Sequence, residues 1–102
     1  MELQDTYATV YGNTVTVNNT AGYHANYCAY GISYCQNTYN NPHYYNIHNN
    51  NVTIINGDYA VYLLAGSTGS VMDNSLKAIG NGTKTGDSAV SAQPPVTVDD
   101  NN

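Results

Sequence analysis

Residues 47–63 read IHNNNVTIINGDYAVYL. Three consecutive asparagines, an alternating Val-Thr-Ile, a Gly-Asp and an alternating Tyr-Ala-Val-Tyr-Leu follow one another in this one stretch. Taken alone it offers a polar cluster between two short apolar runs. Set beside the rest of the chain it is one copy of a repeat. VYGNTVTV (10–17), IHNNNVTI (47–54) and VMDNSLKA (71–78) each carry an aliphatic residue, an Asn three positions later, and then an apolar–polar–apolar triplet. VDDNN (98–102) opens a further copy. Asn13, Asn50, Asn74 and Asn101 therefore share one register. A second segment recurs as AYGISY (29–34), DYAVYL (58–63) and DSAVSA (87–92), the last two directly after Gly57 and Gly86.

A repeat of a few tens of residues means that one small unit is stacked, because a single unit cannot bury its own apolar face. Helical repeats need a 3.6-residue periodicity, which is missing here. Leucine-rich repeats need spaced leucines, and the chain has four. Calcium-binding nonapeptide repeats need a short GGxGxD period, also missing. The remaining solution is an all-β fold, a right-handed parallel β-helix (solenoid) of about three to four coils, in which equivalent strands stack in parallel sheets. Residues 1–102 then form a single solenoid segment, with an irregular Tyr-rich first coil over 1–44 and regular repeats over 45–102. A small antiparallel β-sandwich is the alternative. It accounts for the alternation but not for the recurrence of one signature in register.

The coil geometry predicts which side chains meet. In one sheet Val15, Val52 and Leu76 point inward, as do Val17, Ile54 and Ala78, while Thr16, Thr53 and Lys77 point to solvent. In another, Ile32, Val61 and Val90 and then Tyr34, Leu63 and Ala92 point inward. Gly31, Ala60 and Ala89 point outward there, with Ser33, Tyr62 and Ser91. Val10, Ile47, Val71 and Val98 form a further inward column. The repeated asparagines are expected at a corner, where Asn tolerates unusual backbone angles and its amide can bond the Asn of the next coil.

Composition agrees with a turn-rich β protein. Among 102 residues there are sixteen Asn, eleven Thr and eleven Tyr, with no Phe and no Trp. Asn and Gly favour turns, while Thr, Val and Tyr favour strands. The length allows one domain. Two Lys, no Arg and a net charge of −5 argue against nucleic acid and against an anionic membrane surface, both of which need clustered cations. No apolar run approaches the ~18 residues of a spanning helix. The opening MELQDTYATV lacks the basic region and apolar core of a signal peptide, so an exported chain would carry its signal outside these residues.

The motifs N-x-[VL]-T-[VI] followed by GDYAVYL, then STGSVMDNSL and GNGTKTGDSAVSA, resemble the repeats of the large adhesin-like surface proteins of methanogenic archaea. More broadly they resemble the parallel β-helix repeat of many secreted proteins and polysaccharide-degrading enzymes. Residues 45–102 carry the resemblance well; residues 1–44, with AGYHANYCAYGISYCQNTYNNPHYY, carry it loosely. The resemblance implies an extracellular, cell-surface location and a role in attachment or envelope structure.

Because the fold also hosts polysaccharide-active enzymes, each chemical group needs weighing. Lyases of the fold use calcium and a basic Arg or Lys, and here only Lys77 and Lys84 are present. Hydrolases of the fold use clustered carboxylates. Asp58 and Asp87 share a register and are the candidate carboxylate pair or Ca²⁺ site, since two such charges a coil apart would raise one pKa or recruit a cation. The bland reading, two turn residues that start equivalent strands, is favoured. Asp73, Asp99 and Asp100 lie beside the Asn corner and read as turn residues too. His24, His43 and His48, with Cys28 and Cys35, lack metal-ligand spacing. No catalytic residue is assigned and no enzyme activity is expected.

If residues 29–34 form a strand, Cys28 and Cys35 lie roughly 20 Å apart at ~3.3 Å per residue, whereas a disulfide needs Cα atoms within ~7 Å, so they would not bridge each other unless that strand is broken. They read as free thiols or as a bond to another chain. Sequons at Asn18, Asn51 and Asn81 mark possible N-glycosylation in an exported protein. Tyr23, Tyr27, Tyr39, Tyr44, Tyr45 and Tyr62 are the candidate ligand or interface residues, because exposed tyrosine stacks on sugars or fills an interface at low entropy cost. Finally, a β-helix has unpaired edges at its end coils. TVYGN (9–13) and TVDDN (97–101) are one signature met twice, so self-association end to end could continue the register, giving a filament. The expected function is a non-enzymatic structural or adhesive surface module, a piece of a repeat array or a stacking subunit. A carbohydrate-binding module is the alternative, and a polysaccharide-active enzyme comes last.

Overall fold

The computed structural model describes residues 1–4, 7–20, 29–34 and 43–102. Its strands are β1 (Tyr7–Tyr11), β2 (Thr14–Asn18), β3 (Tyr30–Tyr34), β4 (His43–His48), β5 (Asn51–Ile55), β6 (Tyr59–Leu63), β7 (Ser67–Met72), β8 (Ser75–Gly80), β9 (Gly82–Thr85), β10 (Val90–Ser91) and β11 (Thr97–Asp99). A short 3₁₀ helix spans Gly86–Ala89. The strands form three sheets, ordered β1-β4-β7-β11, β2-β5-β8-β9 and β3-β6-β10. The protein is therefore all-β with parallel sheets, and the chain visits the first, second and third sheet in the same cyclic order on each pass.

Parallel pairing follows from that path. A strand can lie parallel to an earlier one only after a crossover of a dozen or more residues, and here each crossover consists of the strands of the other two sheets. β8 and β9 are the one antiparallel pair among the described strands. An antiparallel sandwich would require the opposite balance.

Register is set by which faces must be buried, because a slip of one residue would turn every apolar side chain outward. In the second sheet Val15 pairs with Val52 and Val52 with Leu76, while Val17, Ile54 and Ala78 align likewise. Val52, Ile54, Leu76 and Ala78 are buried; Thr16 and Lys77 are exposed. In the first sheet Val10, Ile47, Val71 and Val98 align in one column. In the third, Ile32, Val61 and Val90 align, as do Tyr34 and Leu63. The core these columns form also holds Tyr34 and Tyr45, both wholly buried.

Two sequence expectations need correction in the third sheet. Gly31, Ala60 and Ala89 do not face solvent; all three are buried. Strict alternation breaks here, since β3 and β6 each bury two successive residues. A Cβ on Gly31 would run into the Val52 side chain and lie 2.8 Å from the Ala60 carbonyl oxygen. The position thus faces β5, and only a residue without bulk fits. The segment DSAVSA, in turn, is a strand only at Val90–Ser91, because Gly86–Ala89 winds into the 3₁₀ helix.

Candidate functional site

The repeated asparagines join successive copies of the repeat through their side chains. Asn13 donates its backbone N–H and its Nδ2 to Asn50 Oδ1, both at 3.0 Å. Asn50 does the same to Asn74 Oδ1, at 2.9 and 3.0 Å. Asn74 does the same to Asn101 Oδ1, at 3.1 and 2.9 Å. Each Nδ2 also reaches back to the carbonyl two residues earlier: Tyr11, His48, Met72 and Asp99 in turn. From the second copy on, Nδ2 further donates to the carbonyl of Val10, Ile47 or Val71 in the preceding copy. Asn50 and Asn74 are buried, and this set of partners offsets the cost of removing their amides from water.

The unusual backbone lies one residue earlier than the sequence suggests. Gly12, Asn49, Asp73 and Asp100, each just before a ladder Asn, have φ of 70°, 56°, 56° and 55°. Gly, Asn and Asp are the residue types that enter this left-handed region most readily. The chain turns there, and the following Asn is aimed along the stack. The sequence carried this pattern in the Gly, Asn and Asp at one register position.

A second asparagine pair was not foreseen. Asn19 Nδ2 donates to the Asn56 carbonyl at 3.2 Å and Asn56 Nδ2 to the Asn19 carbonyl at 3.1 Å. Asn56, with φ of 59°, ends β5 as the ladder residues begin the second-sheet strands. Its only trace in the sequence is that Asn19 and Asn56 are separated by the same interval as Asn13 and Asn50.

The candidate carboxylate pair takes two separate environments. The Asp58 carboxylate is 3.9 Å from Lys84 Nζ, which also donates to the Asp58 carbonyl at 3.0 Å and sits 4.3 Å from the centre of the Tyr59 ring. Asp87 stands in the 3₁₀ helix, where its Oδ1 accepts from Asn101 N and Nδ2 at 3.1 and 2.7 Å. The insertion of β9 and the 3₁₀ helix gives Asp87 a neighbourhood unlike that of Asp58. Among the described residues no three His, Cys, Asp or Glu side chains gather in one place.

The tyrosines divide by the parity of their strand. Counting back by twos from the inward Ile47 puts Tyr45 and His43 inside and Tyr44 outside. Tyr45 is accordingly wholly buried and donates its hydroxyl to the Gln4 carbonyl. It leaves the set of candidate ligand residues. Its ring packs against Tyr34 at 5.5 Å and His43 at 5.9 Å. On the outer face of the first sheet, Tyr7 is 71 %, Tyr11 61 % and Tyr44 44 % exposed. Tyr7 stacks with Tyr44 at 6.4 Å and Tyr11 packs on His48 at 4.8 Å. Between these aromatic pairs runs the polar column of Thr9, Asn46, Ser70 and Thr97. Tyr62 stacks flat on Tyr30 at 4.4 Å on the third sheet. Tyr7, Tyr11 and Tyr30 had not been singled out, although the same parity argument reaches the first two.

Asn18, Asn51 and Asn81 of the sequons are all exposed. Tyr23, Tyr27, Tyr39, His24, Cys28 and Cys35 lie outside the described residues. Comparison of the chain with protein-family models, with curated proteins and with solved structures found no match.

Proposed function

We propose that the chain is a right-handed parallel β-solenoid of about three to four coils that serves as a non-enzymatic structural or adhesive module at a cell surface, joined end to end with further coils. The observation that carries this reading is the asparagine ladder. The most regular polar residues of the sequence are turned along the stack and bonded copy to copy, so what the sequence repeats is used to hold the stack together. The cyclic order of the three sheets and the alignment of their columns support the solenoid. Further coils would come from a second copy or from a longer repeat array, and the coding sequence around the chain separates those two sources. Surface placement rests on the resemblance of the repeats, and glycans at Asn18, Asn51 and Asn81 would accord with it. A concentration series by sedimentation and electron microscopy tests the stacking. Concentration-dependent rods are expected, and a folded monomer at the highest concentration, both in the wild type and once Asp87→Ala frees the donors of Asn101, would refute it.

A second reading, carbohydrate binding, is favoured by one observation: the outer face of the first sheet carries two aromatic pairs on either side of a hydroxyl and amide column. Aromatic faces stack on the apolar face of a sugar while hydroxyl and amide groups bond its rim. A glycan array with the protein and its Tyr7→Ala and Tyr44→Ala variants tests it. Binding lost in both variants supports a sugar site, and no binding to any glycan removes it.

A further inference from the structure

The two ends of the stack are not alike. At the β1–β2 end, Val15 and Val17 are only partly buried, whereas their partners Val52 and Ile54 are wholly so. Among the described residues no strand pairs with the outer edge of β1 or β2, and no donor reaches Asn13 Oδ1. Among the described residues only the third sheet is covered there, by Met1–Leu3 running along β3: Leu3 N donates to the Ser33 carbonyl at 2.7 Å and Ser33 N to the Met1 carbonyl at 2.9 Å. On the described residues, this end offers a ladder acceptor and two strand edges.

At the other end the ladder terminates on Asp87. Asn101 directs at Asp87 Oδ1 the same two donors, N–H and Nδ2, that every earlier Asn directs at the Asn of the next coil. Asp87 belongs to no ladder position; it comes from the 3₁₀ helix that follows β9. The strand edge is occupied as well. Asn102 lies against Asn74 as Ser75 lies against Asn50, with Asn102 N donating to the Asn74 carbonyl at 2.8 Å and Leu76 N to the Asn102 carbonyl at 2.6 Å. From Lys77 onward the β8 edge is taken by β9 in antiparallel pairing, Lys77 with Thr85 through Gly80 with Gly82. β9 and Asn102 thus fill the second-sheet layer that follows β8, and it is on this layer that β2 of a further copy would be laid.

We propose that Asp87, held in place by β9 and the 3₁₀ helix, is an intramolecular stop on head-to-tail association. Its Oδ1 stands where Asn13 Oδ1 of a second copy would stand, and the two compete for the same donors of Asn101. The occupant of the released end is a second copy of this chain, seated by its β1–β2 edge so that its Val10 continues the Val98 column and its Asn13 continues the ladder. Residues 9–13 and 97–101 share one signature, which supplies the match. The inference rests on the stacking reading above and adds to it a direction and a control.

The test is the association of four proteins followed by analytical ultracentrifugation over a concentration series: wild type, Asp87→Ala, Asp87→Asn, and Asp87→Ala combined with Asn13→Ala. Alanine removes the competing oxygen, so Asp87→Ala is expected to assemble at a concentration lower than wild type by on the order of tenfold, the scale of a lost hydrogen bond to a charged group. Asp87→Asn keeps Oδ1 and should stay within a few-fold of wild type. Adding Asn13→Ala should cancel the gain. Circular dichroism confirms that each variant is folded, and faster exchange of the Asn101 amide in Asp87→Ala reports release of the stop without reference to assembly. If wild type and Asp87→Ala assemble at the same concentration, the stop is wrong and stacking survives. If Asp87→Ala gains assembly that Asn13→Ala does not cancel, the assigned contact is wrong. If all four remain monomeric at the highest concentration, the stop and the stacking reading both fall.

Discussion

Replacing Asn74 by alanine removes the middle rung of the ladder, and its cost can be worked from the bonds that are lost. Asn74 is wholly buried. Its Oδ1 accepts from Asn50 N at 2.9 Å and Asn50 Nδ2 at 3.0 Å. Asn50 Nδ2 would keep the carbonyls of Val10 and His48, so it would not be stranded. Asn50 N–H has no second acceptor, and a buried orphan donor costs about 1–3 kcal/mol. The carbonyls of Ile47 and Met72 also lose a donor. Carbonyl oxygen tolerates this better, having two lone pairs, but the vacated amide leaves a small cavity. Together these give roughly 2–4 kcal/mol. Asn13→Ala is the control. Asn13 is half-buried, and its backbone N–H still donates to Asn50 Oδ1 after truncation. Its cost should be about 0.5–1.5 kcal/mol. Urea unfolding followed by circular dichroism reads the difference. With m of about 1–2 kcal/mol/M for a chain of this size, Asn74→Ala should lower the midpoint by roughly 1–3 M and Asn13→Ala by less than about 1 M. Asn74→Asp should be worse than alanine at neutral pH, because a carboxylate there would face the Ile47 and Met72 carbonyls and Asn101 Oδ1 with no hydrogen to give. Equal losses at Asn74 and Asn13, or an Asn74→Asp protein as stable as Asn74→Ala, would refute the ladder as a buried, donor-limited structure.

Gly69 has φ of 108°, and a Cβ there would overlap the Tyr45 carbonyl oxygen and come within 2.8 Å of its carbonyl carbon. Gly69→Ala should therefore cost more than about 2 kcal/mol. Gly12→Ala, where φ is 70° and nothing lies within 4 Å, should cost only about 1 kcal/mol; equal unfolding midpoints would contradict this. Tyr45→Phe keeps the buried ring and loses the hydroxyl's bond to the Gln4 carbonyl, so thermal unfolding should register a loss of about 1 kcal/mol. No change would mean that bond is not formed in solution. Lys84→Met removes an ammonium that is 3.9 Å from the Asp58 carboxylate and rests on Tyr59. Both side chains are about a third exposed, so water screens the pair and denaturation should show less than about 1 kcal/mol. A larger loss would show that Lys84 anchors β9 to the third sheet.

Sequence alone determined the parts of this protein that repeat. An apolar–polar–apolar triplet at a fixed distance from an Asn fixes both register and inward face, because alternation is local and repetition makes each copy a check on the others. The columns through Val52 and Ile47 and the position of the ladder were legible on that ground. Parity counted from Ile47 also places Tyr45 inside, although the Asn- and Tyr-rich residues before it have the composition of an irregular loop. What only tertiary structure decided lies where a side chain meets a different copy of the repeat or a different sheet. Gly31 is buried with the Val52 side chain of another sheet standing against it, and nothing near it in sequence records that. Asp87 looks like the counterpart of Asp58, each following a Gly and opening an equivalent segment. The chain between the two copies nevertheless folds back as β9, pairs antiparallel with β8, and delivers Asp87 to Asn101. That choice depends on which edge is left unpaired once the parallel sheets have formed, and an unpaired edge is a property of the assembled sheet rather than of any stretch of sequence.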